Sequence, residues 1–521
     1  MSPLLQLDGL EVATAARCLL GPLSLDVQPG HCIALVGESG SGKSLTVQAL
    51  LGLLPDGLIA SGHLRHDGQS IAIGSSAHAH LRGRVIGWVP QDPLASLHPL
   101  KRIGAQLIET LRHVRGFDRT TATVEARALL ERVQLPDAAV ALRRWPHQFS
   151  GGQRQRIAIA LALASAPRVL VADEPTSALD ARIAREVLDL LDQLRREDGL
   201  ALVLVSHDLP LVGAYAQDVL VLRGGAVIEQ GSTRRVFDAP AQAYTRELLA
   251  AGTVALAPCA GEPPPCVLQA RDLRLRYRGA THDALDGVDI DLYRGEALAL
   301  VGESGSGKSS LGRVVLRLSR QAGGSVLLHG DDGGRVDLAR LPAARLRALR
   351  PRLGVVFQDP YASLDPRMRI VDIVSEPLRI HRSMARGELR ARAEDLMMAV
   401  GLPSDVLDRH PHQFSGGQRQ RIAIARALAL APDVLVCDEA LSALDAHHRA
   451  SILALLARLK HERGLALLFI THDLDAAAAI AERIAVMEDG RIVEAGITAD
   501  VLASPRHPHT RALVAARVRT A

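Results

Sequence analysis

The chain repeats itself, and the repeat fixes most of what it can fold into. GESGSGKS stands at 37–44 and again at 302–309, and FSGGQRQRIAIA at 149–160 and again at 414–425. SALD occurs at 177–180 and 442–445, and SHDL (206–209) is answered by THDL (471–474). All keep one offset, the one that carries Lys43 onto Lys308. VPQDPLASLHP (89–99) and VFQDPYASLDP (356–366) are displaced slightly further, and the difference is recovered before the next motif. A period this long describes a duplicated domain, not a short solenoid repeat. Between the copies lies TVALAPCAGEPPPC (253–266), rich in Pro and small residues, which reads as an exposed linker. The expected organisation is a first domain over 1–252, a linker over 253–266 and a second domain over 267–521.

Each copy alternates apolar runs with helical patterns. CIALV (32–36), RVLVAD (168–173) and LALVLVS (200–206) have partners in ALALV (297–301), DVLVCD (433–438) and LALLFIT (465–471). Continuous apolar runs of this length fit parallel strands buried on both faces. AREVLDLLDQLRRE (184–197) is one of the intervening helical patterns. The prediction is an α/β fold with ligands at the carboxyl ends of the strands. The strand-poor segments 92–149 and 359–414 read as helical inserts.

Composition removes several classes of function. Hydrophobic residues are 48% and charged residues 23% of 521, which excludes a disordered chain. Lys+Arg (61) and Asp+Glu (57) nearly cancel to +4, so nothing pulls strongly on nucleic acid, and aromatics at 2% leave few stacking platforms. Five cysteines at 18, 32, 259, 266 and 437 form neither a disulfide framework nor a paired metal motif, and fit a reducing compartment. Cys259 and Cys266 are too few for a cluster. MSPLLQLDGL lacks a basic start followed by an apolar run, so no secretory leader is expected. Runs such as IAIALALA (157–164) fall short of a membrane span. The histidines at 63, 66, 78 and 80 read as solvated loop residues, and LPAARLRALRPRLG (341–354) as a solvated helix.

The motifs carry phosphate chemistry. In GESGSGKS after a strand and before a helix, Gly37, Ser39, Gly40 and Gly42, and Gly302, Ser304, Gly305 and Gly307, let backbone N–H groups close around phosphates at a helix N-terminus. Lys43 and Lys308 reach the β/γ-phosphates, and Ser44 and Ser309 can hold Mg²⁺. Asp173 and Asp438 end apolar strands, where a buried carboxylate needs a partner, and Mg²⁺ supplies one. Glu174 and Glu439 follow, expected to point the other way along the strand, each placed to act as general base on water.

FSGGQ, the SALD turn just after the Asp-Glu pair and the histidine after the next strand together resemble the ATP-binding cassette (ABC) ATPases over essentially the whole chain. The resemblance implies two tandem cassettes, each with a mainly parallel core sheet, flanking helices, an antiparallel β part and a helical insert. It implies that the cassettes pair head to tail. Ser415, Gly416, Gly417 and Gln418 would then close over ATP at Lys43, and Ser150, Gly151, Gly152 and Gln153 over ATP at Lys308. His207 and His472 match the switch histidine, Gln91 and Gln358 the glutamine that senses Mg²⁺ and water, and Asp180 and Asp445 the aspartate crossing the interface. Tyr277 matches an adenine-stacking aromatic. The first copy has none, since Trp88 is the first aromatic in the chain, and either Val12 or Thr14 stands opposite it. Ala440 replaces the proline found at 175, with no chemistry lost.

The QDPxASLxP runs and the tail SPRHPHTRALVAA (504–516), echoed by PAQAYTRELLAA (240–251), are similar to the peptide/nickel branch of bacterial importers in its fused tandem form. That implies an ATPase coupled to import of peptides or a related solute: a nickel chelate, glutathione or a peptide antibiotic. It implies ATP and Mg²⁺, two membrane permease subunits, a solute-binding protein outside, no nucleic acid, and a peripheral place on the cytoplasmic face of the inner membrane. The rival is a soluble tandem cassette acting on ribosomes or other nucleic-acid machinery, whose relatives carry a long charged linker.

Overall fold

The computed structural model describes residues 3–38, 40–176, 179, 181–250, 264–319, 321–330, 333–359, 363–441, 444 and 446–516. Ser39, Asp180, Asp445, Cys259 and most of the expected linker lie outside the described residues. The chain divides into two compact units, described over 3–250 and 264–516.

The first unit contains β1 (Leu5–Ala13), β2 (Cys18–Val27), β3 (Cys32–Val36), β4 (Ile59–His66), β5 (Gln69–Ala72), β6 (Ile86–Val89), β7 (Val169–Asp173), β8 (Ala201–Val205), β9 (Asp218–Arg223) and β10 (Ala226–Ser232). One sheet is antiparallel, in the order β2-β1-β4-β5. The other runs β10-β9-β3-β8-β7-β6 and is parallel except where β10 turns back on β9. Every residue of β3, β7 and β8 is buried, which is why these strands read as unbroken apolar runs.

The second unit repeats the plan with β11 (Cys266–Leu275), β12 (Leu285–Tyr293), β13 (Ala297–Val301), β14 (Gly323–His329), β15 (Arg335–Asp337), β16 (Leu353–Val356), β17 (Val434–Asp438), β18 (Ala466–Ile470), β19 (Arg483–Glu488) and β20 (Arg491–Ile497). Its sheets run β12-β11-β14-β15 and β16-β17-β18-β13-β19-β20. The strand order puts β3 beside β8, β8 beside β7 and β7 beside β6, so four loops from distant parts of the sequence leave one sheet edge side by side. The expected inserts are helical: Ile103–Arg115 and Arg119–Arg132 in the first unit, Ile370–His381 and Arg386–Ala399 in the second. They pack on the helices Gly151–Leu163 and Gly416–Ala427.

Three local expectations need correction. His78 is not a solvated loop residue. It lies in the helix Ser76–Leu81, 2% exposed, with Nε2 2.9 Å from the Leu50 carbonyl and Nδ1 accepting the Gly74 N–H at 3.1 Å. Ser75 caps that helix, and the capped turn aims the ring inward. His63 and His66 belong to β4, and His66 Nδ1 lies 3.0 Å from the Leu4 carbonyl. Cys266 is the first residue of β11 and not part of the linker.

No helix among the described residues is long and apolar enough to cross a membrane.

Candidate nucleotide sites

Each P-loop leaves a buried parallel strand and opens a helix, Lys43–Leu51 or Lys308–Val315. Glycine is required at the bend. A Cβ on Gly37 would stand 2.2 Å from the Leu222 carbonyl oxygen, and one on Gly302 2.2 Å from that of Met487. Gly42 and Gly307 cap the helices with φ of 109° and 107°, a conformation costly for any other residue. Gly40 and Gly305 face open space, where a ligand can approach the backbone.

The lysines are buried and held by their own loops. Lys43 Nζ donates to the carbonyls of Gly37 (2.7 Å) and Glu38 (2.9 Å), and Lys308 Nζ to those of Gly302 (2.9 Å) and Glu303 (2.7 Å). Ser309 Oγ donates to Asp438 Oδ1 at 2.8 Å. Burial, then the neighbouring Glu174 charge, pushes the Asp173 carboxyl up to about 6 against the pull of Lys43. Burial likewise raises Asp438, opposed by its bond to Ser309.

Glu174 and Glu439 are not strand residues, contrary to expectation. The strands end at Asp173 and Asp438, and each glutamate adopts the left-handed conformation, φ 45° and 46°. This strained state costs on the order of 1–3 kcal/mol and persists where surroundings enforce it. Here the Glu174 N–H donates to the Val205 carbonyl and the Glu439 N–H to that of Ile470, each at 3.0 Å. The backbone twist aims the carboxylates into a cluster. Gln91 Nε2 donates to Glu174 Oε2 at 2.8 Å, and His207 Nδ1 stands 3.4 Å from Oε1. Gln358 Nε2 donates to Glu439 Oε2 at 2.9 Å, with His472 Nδ1 3.6 Å from the same oxygen. The His472 contact holds the Glu439 carboxyl below its usual range despite burial, which keeps it ionised and able to accept a proton.

The SGGQ serine and glutamine side chains bond each other's backbone. Ser150 and Ser415 cap their helices: each hydroxyl accepts the N–H of Gln153 (3.4 Å) or Gln418 (3.3 Å). The glutamine side chains return the bond to the serine N–H at 3.1 and 3.0 Å. This capping box fixes the helix N-terminus. A Cβ on Gly152 would meet Ile183 Cγ2 at 2.5 Å, and one on Gly417 would meet His448 Cδ2 at 2.3 Å. Among the described residues Gly416 has open space beside it, and Gly151 has only Leu179, 3.5 Å away.

The hairpin register places Tyr277. Val12 pairs with Leu20 as Leu275 pairs with Leu285, so Thr14 is the residue that stands where Tyr277 does. Thr14–Arg17 is a tight turn closed by the Thr14 N–H on the Arg17 carbonyl at 2.9 Å. The second unit has the longer loop Arg276–Ala284, braced by a two-point Arg276–Asp283 ion pair at 2.6 and 2.9 Å. Tyr277 is 40% exposed, its hydroxyl 3.1 Å from Ser310 Oγ on the P-loop helix.

Two glycine-bent phosphate loops, each with a carboxylate–glutamine–histidine cluster at the neighbouring strand ends, define a tandem P-loop ATPase. The family described as "ABC transporter" matches residues 20–177 and 285–442. The glutathione import ATP-binding protein GsiA of Escherichia coli O6:H1 (strain CFT073) is 42% identical over 95% of this chain and 85% of its own length. Its namesake in Escherichia coli K12 is 41% identical over the same shares. Among solved structures, a dimeric ATP-binding cassette bound to ADP and Pi is 30% identical and covers 44% of this chain and 98% of its own, with a TM-score of 0.40. The chain belongs to the ABC transporter family. It carries two of the family's ATP-binding domains and is a transporter ATPase of the fused tandem form.

Proposed function

We propose that this chain hydrolyses ATP at two composite sites to drive import of glutathione, a peptide or a related small solute through two permease subunits. The observation that carries the hydrolytic reading is the glutamate–glutamine–histidine cluster, present at both sites. Neither site lacks its base, so both are assigned hydrolysis. The relatives' names favour import over the ribosome-acting reading.

Lys43 and Lys308 bind the β/γ-phosphates, exchanging loop carbonyls for phosphate oxygens. Glu174 and Glu439 take a proton from the attacking water. Gln91 and His207, or Gln358 and His472, hold that carboxylate in place. In the second unit Ser309, Asp438 and Gln358 line one cavity, and a serine hydroxyl, a carboxylate and an amide oxygen are the hard oxygen set that suits Mg²⁺. Ser44, Asp173 and Gln91, and Ser309, Asp438 and Gln358, would hold it, and the ion supplies neutralisation of phosphate charge. Following the family arrangement, Ser415–Gln418 cover ATP at Lys43 and Ser150–Gln153 cover ATP at Lys308, with domains running 1–252 and 267–521, the second extended by Cys266, which opens β11. ATP that binds the closed pair better than the open one drives closure, and hydrolysis reopens it.

The permease contact is assigned to the groove behind Gln358. A cavity of about 870 Å³ opens there between the P-loop helix, β16 and the helix Ile370–His381, and its lining also includes Ser309, Gln358 and Asp438 of the nucleotide site. The exposed apolar side chains Leu318, Phe357 and Ile380 line it. Leu53, Trp88 and Leu94 are exposed in the first unit. Exposed apolar patches of this kind mark protein contacts. The chain would sit peripherally on the cytoplasmic face of the inner membrane. Reconstitution with its permeases and binding protein tests the reading. ATP-dependent uptake of glutathione or a short peptide supports it, and ATPase activity that no solute or permease alters refutes it.

A further inference from the structure

The tail after β10 looks at first like an appendage, yet it reaches the first P-loop. Glu229 on β10 anchors its start by accepting the N–H groups of Ala241 (2.8 Å) and Gln242 (3.2 Å). The helix Ala243–Ala250 follows. Its Tyr244 is 5% exposed, with the Arg223 guanidinium 4.5 Å over the ring. The Tyr244 hydroxyl accepts the Glu38 N–H at 3.3 Å. That N–H and the Gly37 carbonyl belong to one peptide unit, and the Gly37 carbonyl accepts Lys43 Nζ at 2.7 Å. A trans peptide is planar, with N–H and C=O pointing to opposite sides. Fixing the N–H therefore fixes the direction of the carbonyl that holds the lysine.

We propose that Tyr244 is a positioning residue for the first nucleotide site, orienting the Gly37–Glu38 peptide so that Lys43 is set for phosphate. The proposal rests on the reading of Lys43 as a nucleotide ligand. The second unit is built otherwise. His509 stands at the matching place and turns to Glu488, Nδ1 to Oε1 3.2 Å, while its Nε2 is buried with no hydrogen-bond partner among the described residues. Glu488 itself occupies the position of Arg223. Arginine–tyrosine in one unit thus becomes glutamate–histidine in the other, and the hydroxyl clamp belongs to the first.

The test uses the full chain and ATP as probe, by calorimetry. In a Lys308→Ala background, which leaves the first site, Tyr244→Phe keeps the ring and removes only the hydroxyl. One hydrogen bond of ordinary net worth predicts an ATP Kd raised about threefold to tenfold. Amide exchange should speed up at Glu38 and not in the second P-loop. In a Lys43→Ala background the same replacement should leave ATP affinity within about 1.5-fold, which a general loss of folding would not do. An unchanged Kd in the first background, or an equal rise in both, overturns the proposal. Failure of the Lys308→Ala parent to bind ATP at all overturns the underlying nucleotide-site reading as well, and so is told apart from failure of the clamp alone.

Discussion

The two nucleotide sites should differ in affinity, and the hairpin at each explains the sign. In the second unit the Arg276–Asp283 pair stiffens a long loop, and Tyr277 is held beside the P-loop helix through Ser310. Tyr277 is 40% exposed, so a flat partner has surface to cover. In the first unit Thr14 occupies the same register, and its hydroxyl is taken up by the turn, accepting the Arg17 N–H at 3.1 Å. An aromatic contact of this type contributes about 0.5–1.5 kcal/mol beyond its buried area. That is between about twofold and tenfold in affinity. ATP binding would be measured in Lys43→Ala, which keeps the second site, and in Lys308→Ala, which keeps the first. The Lys308→Ala chain should bind more weakly. Adding Tyr277→Ala to Lys43→Ala should bring the second site down to about the level of the first. Equal or reversed affinities in the two parents, or an unaltered second site after Tyr277→Ala, would refute the reasoning, because stacking would then not be what separates them.

Replacing both bases, Glu174→Gln with Glu439→Gln, should lower steady-state phosphate release by on the order of 10²–10⁴-fold while ATP still binds; turnover within a few-fold of the parent would remove both glutamates from the base role. Asp173 carries a pH signature. Its carboxyl is raised in the fold to about 6, so the neutral acid is the form the fold prefers, and stability is lost as pH rises from near 4 through 6. Asp173→Asn should therefore stabilise the nucleotide-free fold at pH 7.5 by up to about 2–3 kcal/mol, read as a higher melting temperature, and give little gain at pH 4; a gain of equal size at both pH values contradicts the assignment. The purified chain alone should show weak or uncoupled hydrolysis and should fractionate with membranes only when its permeases are present. Membrane association in a strain lacking all of them would sink the peripheral reading.

The parts of this protein that were readable as sequence are those where one residue type does one thing in every context. A glycine pressed 2.2 Å from a carbonyl can be nothing else, so the P-loop motif is visible twice in the raw chain. β3, β7 and β8 are buried on both faces, and an apolar run has no other stable use at that length. What escaped was set by backbone twist and by long-range contact. The left-handed φ of Glu174 is imposed by the bond to Val205 on a neighbouring strand, and no local pattern announces it. The glutamine of SGGQ also closes a helix-capping box, a role that serine followed three residues later by glutamine signals in sequence. The tail motif was visible as a branch feature, but its purpose lies in a contact between Tyr244 and Glu38, far apart in the chain. Only the sheet order, which sets β9 beside β3, brings the tail to the phosphate loop. The histidine at 78 shows the same limit from the other side: a polar ring in a polar stretch is buried because the helix Ser76–Leu81 turns it inward, where two backbone groups satisfy both nitrogens. Residue chemistry therefore marks where phosphate can be held, whereas the elements that tune each of the two sites are chosen by neighbours that the sequence keeps far away.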